Sequence, residues 1–93
     1  MNMHGLKTKF FRAPVLICLK LLEKDFFINE LALETGLTYA HTWNIIDQLE
    51  NYGIVRKSRS GKRVMIKLTE DGRELASYLK YVINIIDSIE ERR

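Results

Sequence analysis

Leu75, Leu79, Val82, Ile86 and Ile89 are separated by 4, 3, 4 and 3 residues. That spacing returns each side chain to one face of an α-helix and is the heptad seam through which helices pair. Tyr78, Ile83 and Ile85 widen the stripe. Thr69 stands ahead of it as a helix cap, and Glu70 and Asp71 follow where their charges suit the positive end of the helix dipole. The helix is therefore expected from about Glu70 to about Arg92. A stripe this long is more than the small domain before it covers, so it reads as half of a subunit interface. Leu75, Tyr78, Leu79, Val82, Ile83, Ile86 and Ile89 are the candidates for that contact, and packing back onto its own domain is the alternative.

The preceding chain divides into short elements. "APVLICLKLLEKD" places Leu16, Ile17, Leu21 and Leu22 at helical spacing, with Pro14 tolerated in a first turn that has N–H groups to spare. "DFFIN" is β-prone. "NELALETG" reads as a compact helix with Asn29 as its cap, Leu31 and Leu33 among its apolar positions, and Gly36 as its stop. Thr38 caps a third helix that ends at Gly53, in which Thr42, Ile45, Ile46 and Leu49 form the inward stripe. Tyr39, Ala40, Trp43, Asn44, Asp47 and Gln48 then point outward, with His41 at the margin. Val64, Ile66 and Leu68 alternate with Met65 and Lys67, the period of a half-buried strand, and a glycine-containing turn pairs that strand with "IVRKS".

The charge is unevenly placed. Six basic residues, Arg56, Lys57, Arg59, Lys62, Arg63 and Lys67, lie between Ile54 and Leu68 with no acid among them. The whole chain carries 15 basic and 12 acidic residues, so the rest of it is net acidic. A local positive field on a hairpin is the footprint expected of a phosphate-binding surface. The composition, 46% hydrophobic and 29% charged, is that of a globular protein, and 93 residues suffice for one small domain. One cysteine, Cys18, rules out an intrachain disulfide and a zinc site built on paired thiolates. The basic residues before "APVLICL" imitate a secretory leader, but Lys20 interrupts the apolar run, and a cytoplasmic protein with no membrane span is expected.

The order helix, short strand, helix, turn, helix, hairpin, helix is that of a winged helix-turn-helix domain. "INELALETGLTYAHTWNIIDQLENYGIVRK" resembles the central motif of winged-helix transcription regulators of the MarR-like and small archaeal kinds, and "IKLTEDGRELA" is similar to the start of their terminal helix. The resemblance spans residues 13 to 90. It implies an α+β, mostly α fold with a three-helix core, a β-hairpin wing and a long C-terminal dimerisation helix. Residues 13–69 would form the DNA-binding domain and 70–93 the dimerisation helix, with 1–12 a mobile N-terminal segment. It further implies a homodimeric, sequence-specific regulator of transcription that binds double-stranded DNA. The turn-preceding helix maps to Asn29–Thr35, the recognition helix to Thr38–Tyr52 and the wing to Ser58–Arg63.

The contact surface is then expected from two sources. Thr38, Tyr39, Ala40, His41, Trp43 and Asn44 form the major-groove set, with Asn44 able to present a bidentate amide to adenine. Arg56, Lys57, Arg59, Ser60, Lys62 and Arg63 form the phosphate and minor-groove set. Trp43 either stays exposed or leans onto the wing, and Asp47 is expected to pair with a nearby cation. The recognition helix offers no outward Arg or Lys, which keeps a sequence-tolerant architectural DNA binder in play, alongside a winged helix used for protein assembly. His4, His41 and Cys18 form no catalytic or metal-binding set, so an enzyme is not expected, nor is a cofactor or a dedicated effector pocket.

Overall fold

Thr38 and Gly53 bracket the third helix as their chemistry demands. In the computed structural model, which describes residues 12–92, Thr38 Oγ1 accepts a hydrogen bond from the His41 N–H at 3.1 Å, and Gly53 takes a positive φ of 76° just past the helix end. Around that helix the chain runs α1 (Ala13–Glu23), β1 (Phe26–Phe27), α2 (Ile28–Thr35), α3 (Tyr39–Asn51), β2 (Val55–Ser60), β3 (Arg63–Leu68) and α4 (Glu70–Glu91). This is the expected element order. The mobility expected of residues 1–12 concerns a segment outside the described residues, apart from Arg12.

The three strands form an antiparallel sheet in the order β1–β3–β2. The core fills the space between the sheet and the helices: Ile17 and Leu21 of α1, Leu31 of α2, Ile46 of α3 and Ile66 of β3 are fully buried. All four members of the stripe expected on α3, Thr42, Ile45, Ile46 and Leu49, are buried. The Thr42 hydroxyl satisfies itself there by donating to the Thr38 carbonyl at 2.8 Å.

Two local expectations are corrected. The second helix begins at Ile28, so Asn29 lies in its first turn and does not cap it; the Glu30 carboxylate caps instead, accepting from the Phe27 N–H at 3.0 Å. Phe27 is held extended by pairing with Met65, and that fixes the start of the helix. Leu33, grouped with Leu31 by spacing, is 82% exposed, because only the Ile28, Leu31 and Ala32 side of this short helix meets the core.

The joint between the hairpin and α4 is tight. Thr69 Oγ1 accepts from the Gly72 N–H at 3.0 Å and donates to the Gly53 carbonyl at 2.6 Å, while the Thr69 N–H donates to the Ile54 carbonyl at 3.0 Å. A Cβ on residue 72 would stand 2.0 Å from the Ile54 oxygen, so only glycine fits. One threonine thus caps α4 and ties it to the turn that ends α3.

The long helix carries two apolar faces where the heptad reading saw one. Gly72, Ala76, Ile83 and Ile86 are buried within the chain. Leu75, Tyr78, Tyr81, Val82, Ile85 and Ile89 are exposed, all within about a third of the helix circumference at 100° per residue. Ile83 and Ile86, expected at a subunit interface, therefore belong to the helix's own packing face and have little surface left to offer. No helix among the described residues is long and apolar enough to cross a membrane.

Candidate nucleic-acid interface

The exposed side of α3 and the hairpin lie against each other, and the strand register decides which hairpin residues share that side. Facing pairs in β2 and β3 are Val55–Leu68, Lys57–Ile66 and Arg59–Val64, with Arg56–Lys67, Ser58–Met65 and Ser60–Arg63 between them. Side chains alternate across a strand, so Lys57 and Arg59 project on the core side, toward α3, while Arg56, Arg63 and Lys67 project on the other. The basic cluster that is continuous in sequence is thus split over two faces, with Lys62 at the tip. Arg56 and Lys67 sit at the base of the hairpin, about 17 Å along the strand from Gly61 at roughly 3.3 Å per residue.

The turn itself follows from Gly61. Two residues, Gly61 and Lys62, connect the strands, and only the first has positive φ, at 65°. That is the type II′ pattern, whose twist matches the strands it joins. It leaves Arg59, Lys62 and Arg63 exposed around the tip. Among the described residues no carboxylate pairs with Arg56, Arg59 or Lys62. The Arg63 guanidinium lies 3.5 Å from the centre of the Phe27 ring, which orders it while leaving its N–H edge free to donate. Lys67 is 3.9 Å from Asp25.

Lys57 is different. Its Nζ is 2.6 Å from Asp47 Oδ1 and 3.1 Å from Glu50 Oε1, and it stands over the Trp43 ring at 5.2 Å from the centroid. The hydrogen bond that Lys57 donates to Asp47, aided by Glu50, holds its pKa above the ordinary lysine value. Trp43 leans against the core with Tyr39 edge-on to it at 6.2 Å between ring centres. Of the two orientations open to Trp43, the one toward the wing is adopted, and Asp47 has the cationic partner expected of it. Between α3 and β2 lies a cleft of about 330 Å³ walled by Trp43, Asp47, Lys57, Ser58, Arg59 and Val64.

Of the expected groove-facing residues, Thr38, Tyr39, Ala40, His41 and Asn44 are exposed on α3 or its cap. Helical geometry places Ala40, Asn44, Asp47 and Asn51 in its outermost row, with His41 and Gln48 on one flank and Tyr39, Trp43 and Glu50 on the flank toward the wing. Gln48 and Asn51 were not among the expected contacts. Their signal was present, since Gln48 follows Asn44 by four residues and carries the same amide.

This arrangement has known counterparts. No protein-family model matches the sequence. An uncharacterized protein of Archaeoglobus fulgidus is 27% identical over 64 residues, which cover 69% of this chain and 67% of that protein. The crystal structure of AF1382, from the same archaeon, superposes with a TM-score of 0.81 at 22% identity, covering 86% of this chain and 94% of that one. The MarR family transcriptional regulator SPO1453 of Silicibacter pomeroyi superposes with a TM-score of 0.76 at 24% identity. The fold is the MarR-like winged helix. The chain spans 64% of the length of SPO1453, with 91% of its own residues covered. In winged-helix terms α2 and α3 are the helix-turn-helix, α3 occupies the position named the recognition helix in that fold, and β2–β3 is the wing.

Proposed function

We propose that the chain is a DNA-binding transcription regulator acting as a homodimer, with α3 in the major groove and the tip of the wing on phosphates. The observation that carries this reading is the juxtaposition of an exposed polar row on α3 with a wing tip bearing Arg59, Lys62 and Arg63. A recognition helix that enters a major groove brings an adjacent hairpin to the flanking backbone. Ala40 suits a thymine methyl, and the amides of Asn44 and Gln48 suit adenine N6 and N7. Tyr39, His41 and the Thr38 cap lie where the start of the helix meets the groove edge. Pairing through Leu75, Tyr78, Val82 and Ile89, with Tyr81 and Ile85 beside them, would cover the exposed face of α4 and give two recognition helices; Leu79, expected in the same seam, is half-buried beside Ile86 at the edge of the inward face. The fold and the solved regulators that share it support the reading, as does the local positive charge at the wing.

The test is a titration of random-sequence duplex over a range of salt. Three phosphate contacts per protomer and six per pair give a slope of log K against log salt near −5, at about −0.9 per contact. A slope near zero, or no binding in dilute buffer, refutes the proposal and favours use of the fold in protein assembly. A second reading, a sequence-tolerant architectural DNA binder, is favoured by the absence of Arg and Lys from the exposed row of α3. Selection from a random duplex library separates the two, since enrichment of a paired half-site supports a regulator and an unenriched pool supports the architectural role.

A further inference from the structure

Lys57 sits among the wing's cations but is not free to act as one. A lysine ammonium has three N–H donors, and here one meets Asp47 at 2.6 Å, another meets Glu50 at 3.1 Å, and the indole of Trp43 covers the group from a third side. A phosphate could recruit Lys57 only by displacing a carboxylate. Doing so would expose two negative side chains on the very helix that the DNA approaches. Resting on the DNA-binding reading above, we infer that Lys57 is a positioning residue. It holds the wing strand against the recognition helix through Trp43 and silences the charges of Asp47 and Glu50, leaving phosphate contact to its neighbours at the tip.

The register explains the division of labour. Lys57 and Arg59 share the core-side face of β2, two residues apart, so Lys57 lies over the middle of α3 while Arg59 reaches the open end of the cleft. Without the ammonium, Asp47 and Glu50 repel each other as well as the duplex, and the ion pairs and the cation–π contact between β2 and the outer side of α3 are lost.

Binding of random-sequence duplex is compared across salt for the wild type, Lys57→Met, Lys57→Arg and the triple variant Asp47→Asn/Glu50→Gln/Lys57→Met. Lys57→Met keeps the apolar stem, removes the charge, and is expected to bind about tenfold more weakly, about 1.4 kcal/mol, with the wild-type salt slope. Lys57→Arg and the triple variant recover most of the loss. A slope made shallower by about 2 in Lys57→Met, one lost phosphate contact in each of two protomers, overturns the inference, because Lys57 would then be a backbone contact. Wild-type affinity in Lys57→Met overturns it too, as does a triple variant no better than Lys57→Met. If the wild type itself binds no duplex, the functional reading fails, and the clasp is judged on the free protein. Trp43 is the only tryptophan, and its quenching by acrylamide is expected to rise in Lys57→Ala; unchanged quenching means that Lys57 does not hold this joint.

Discussion

Replacing Gly72 with alanine sets two effects of opposite sign against each other. In an ordinary helix interior the change stabilises by about 1 kcal/mol, because alanine is the better helix former. Here the new methyl would lie 2.0 Å from the Ile54 carbonyl oxygen and 3.0 Å from its carbon, with backbone on the other side of the clash. Relief requires the first turn of α4 and the residue after the α3 turn to separate by more than 1 Å at the oxygen, since contacts under about 3 Å are not sustained. Ile54 O accepts from the Thr69 N–H at 3.0 Å and from its hydroxyl at 3.2 Å, so both hydrogen bonds stretch as the gap opens. Overpacking costs about 1–3 kcal/mol, and two weakened hydrogen bonds add about 1–2. Less the helix-propensity gain, Gly72→Ala is expected to destabilise the fold by about 1–4 kcal/mol. Urea unfolding at a fixed protein concentration, followed by far-UV circular dichroism, reads this as a lower midpoint with an unchanged m-value. Ser77→Ala, an exposed position farther along the same helix, serves as the comparison and should change little. A Gly72→Ala protein as stable as the wild type, or more so, would show that the two backbones do not approach as described.

Other expectations follow from the same geometry. Ile85→Asp places a charge in the middle of the exposed face of α4 and is expected to give a monomer by sedimentation, whereas a persistent dimer would put the interface elsewhere. The raised pKa of Lys57 means that its pairing with Asp47 and Glu50 contributes stability fully below the unfolded lysine value of about 10.4 and loses it as pH rises through the folded value. The difference in melting temperature between wild type and Lys57→Met should accordingly stay constant from pH 7 to 9 and shrink only in strongly alkaline buffer. A difference that changes with pH over the neutral range would refute that pairing.

The fold was legible where a local rule decides it. Thr38 and Gly53 bound α3 because a side-chain cap and a left-handed stop leave the chain few other choices, and the alternation around Val64, Ile66 and Leu68 specified a strand half in the core. What escaped depended on which element covers which. Helical spacing places Ile83 and Ile86 beside Val82 and Ile89 on one broad stripe, but only tertiary packing shows that α4 turns the first pair inward. Asn29 is a better cap by residue type than Phe27, yet pairing with Met65 holds Phe27 extended and Glu30 supplies the missing acceptor. At the candidate site, the count of six cations was correct and its reading as a single surface was not. Period-two alternation alone would have divided the cluster. The specific partners of Lys57 could not be read, because Asp47 and Glu50 lie ten and seven residues away on another element.

Thr69 gives the molecule an architectural property beyond local stability. Because its hydroxyl grips the carbonyl that follows α3 and its cap starts α4, the end of α3 and the start of α4 are tied directly to one another. On the proposed reading, in a pair joined along α4, the stride between half-sites on the duplex would then be set by where the two α4 helices cross. Sliding that crossing by one helical turn of α4, about 5.4 Å, would move the two α3 helices out of step with successive grooves.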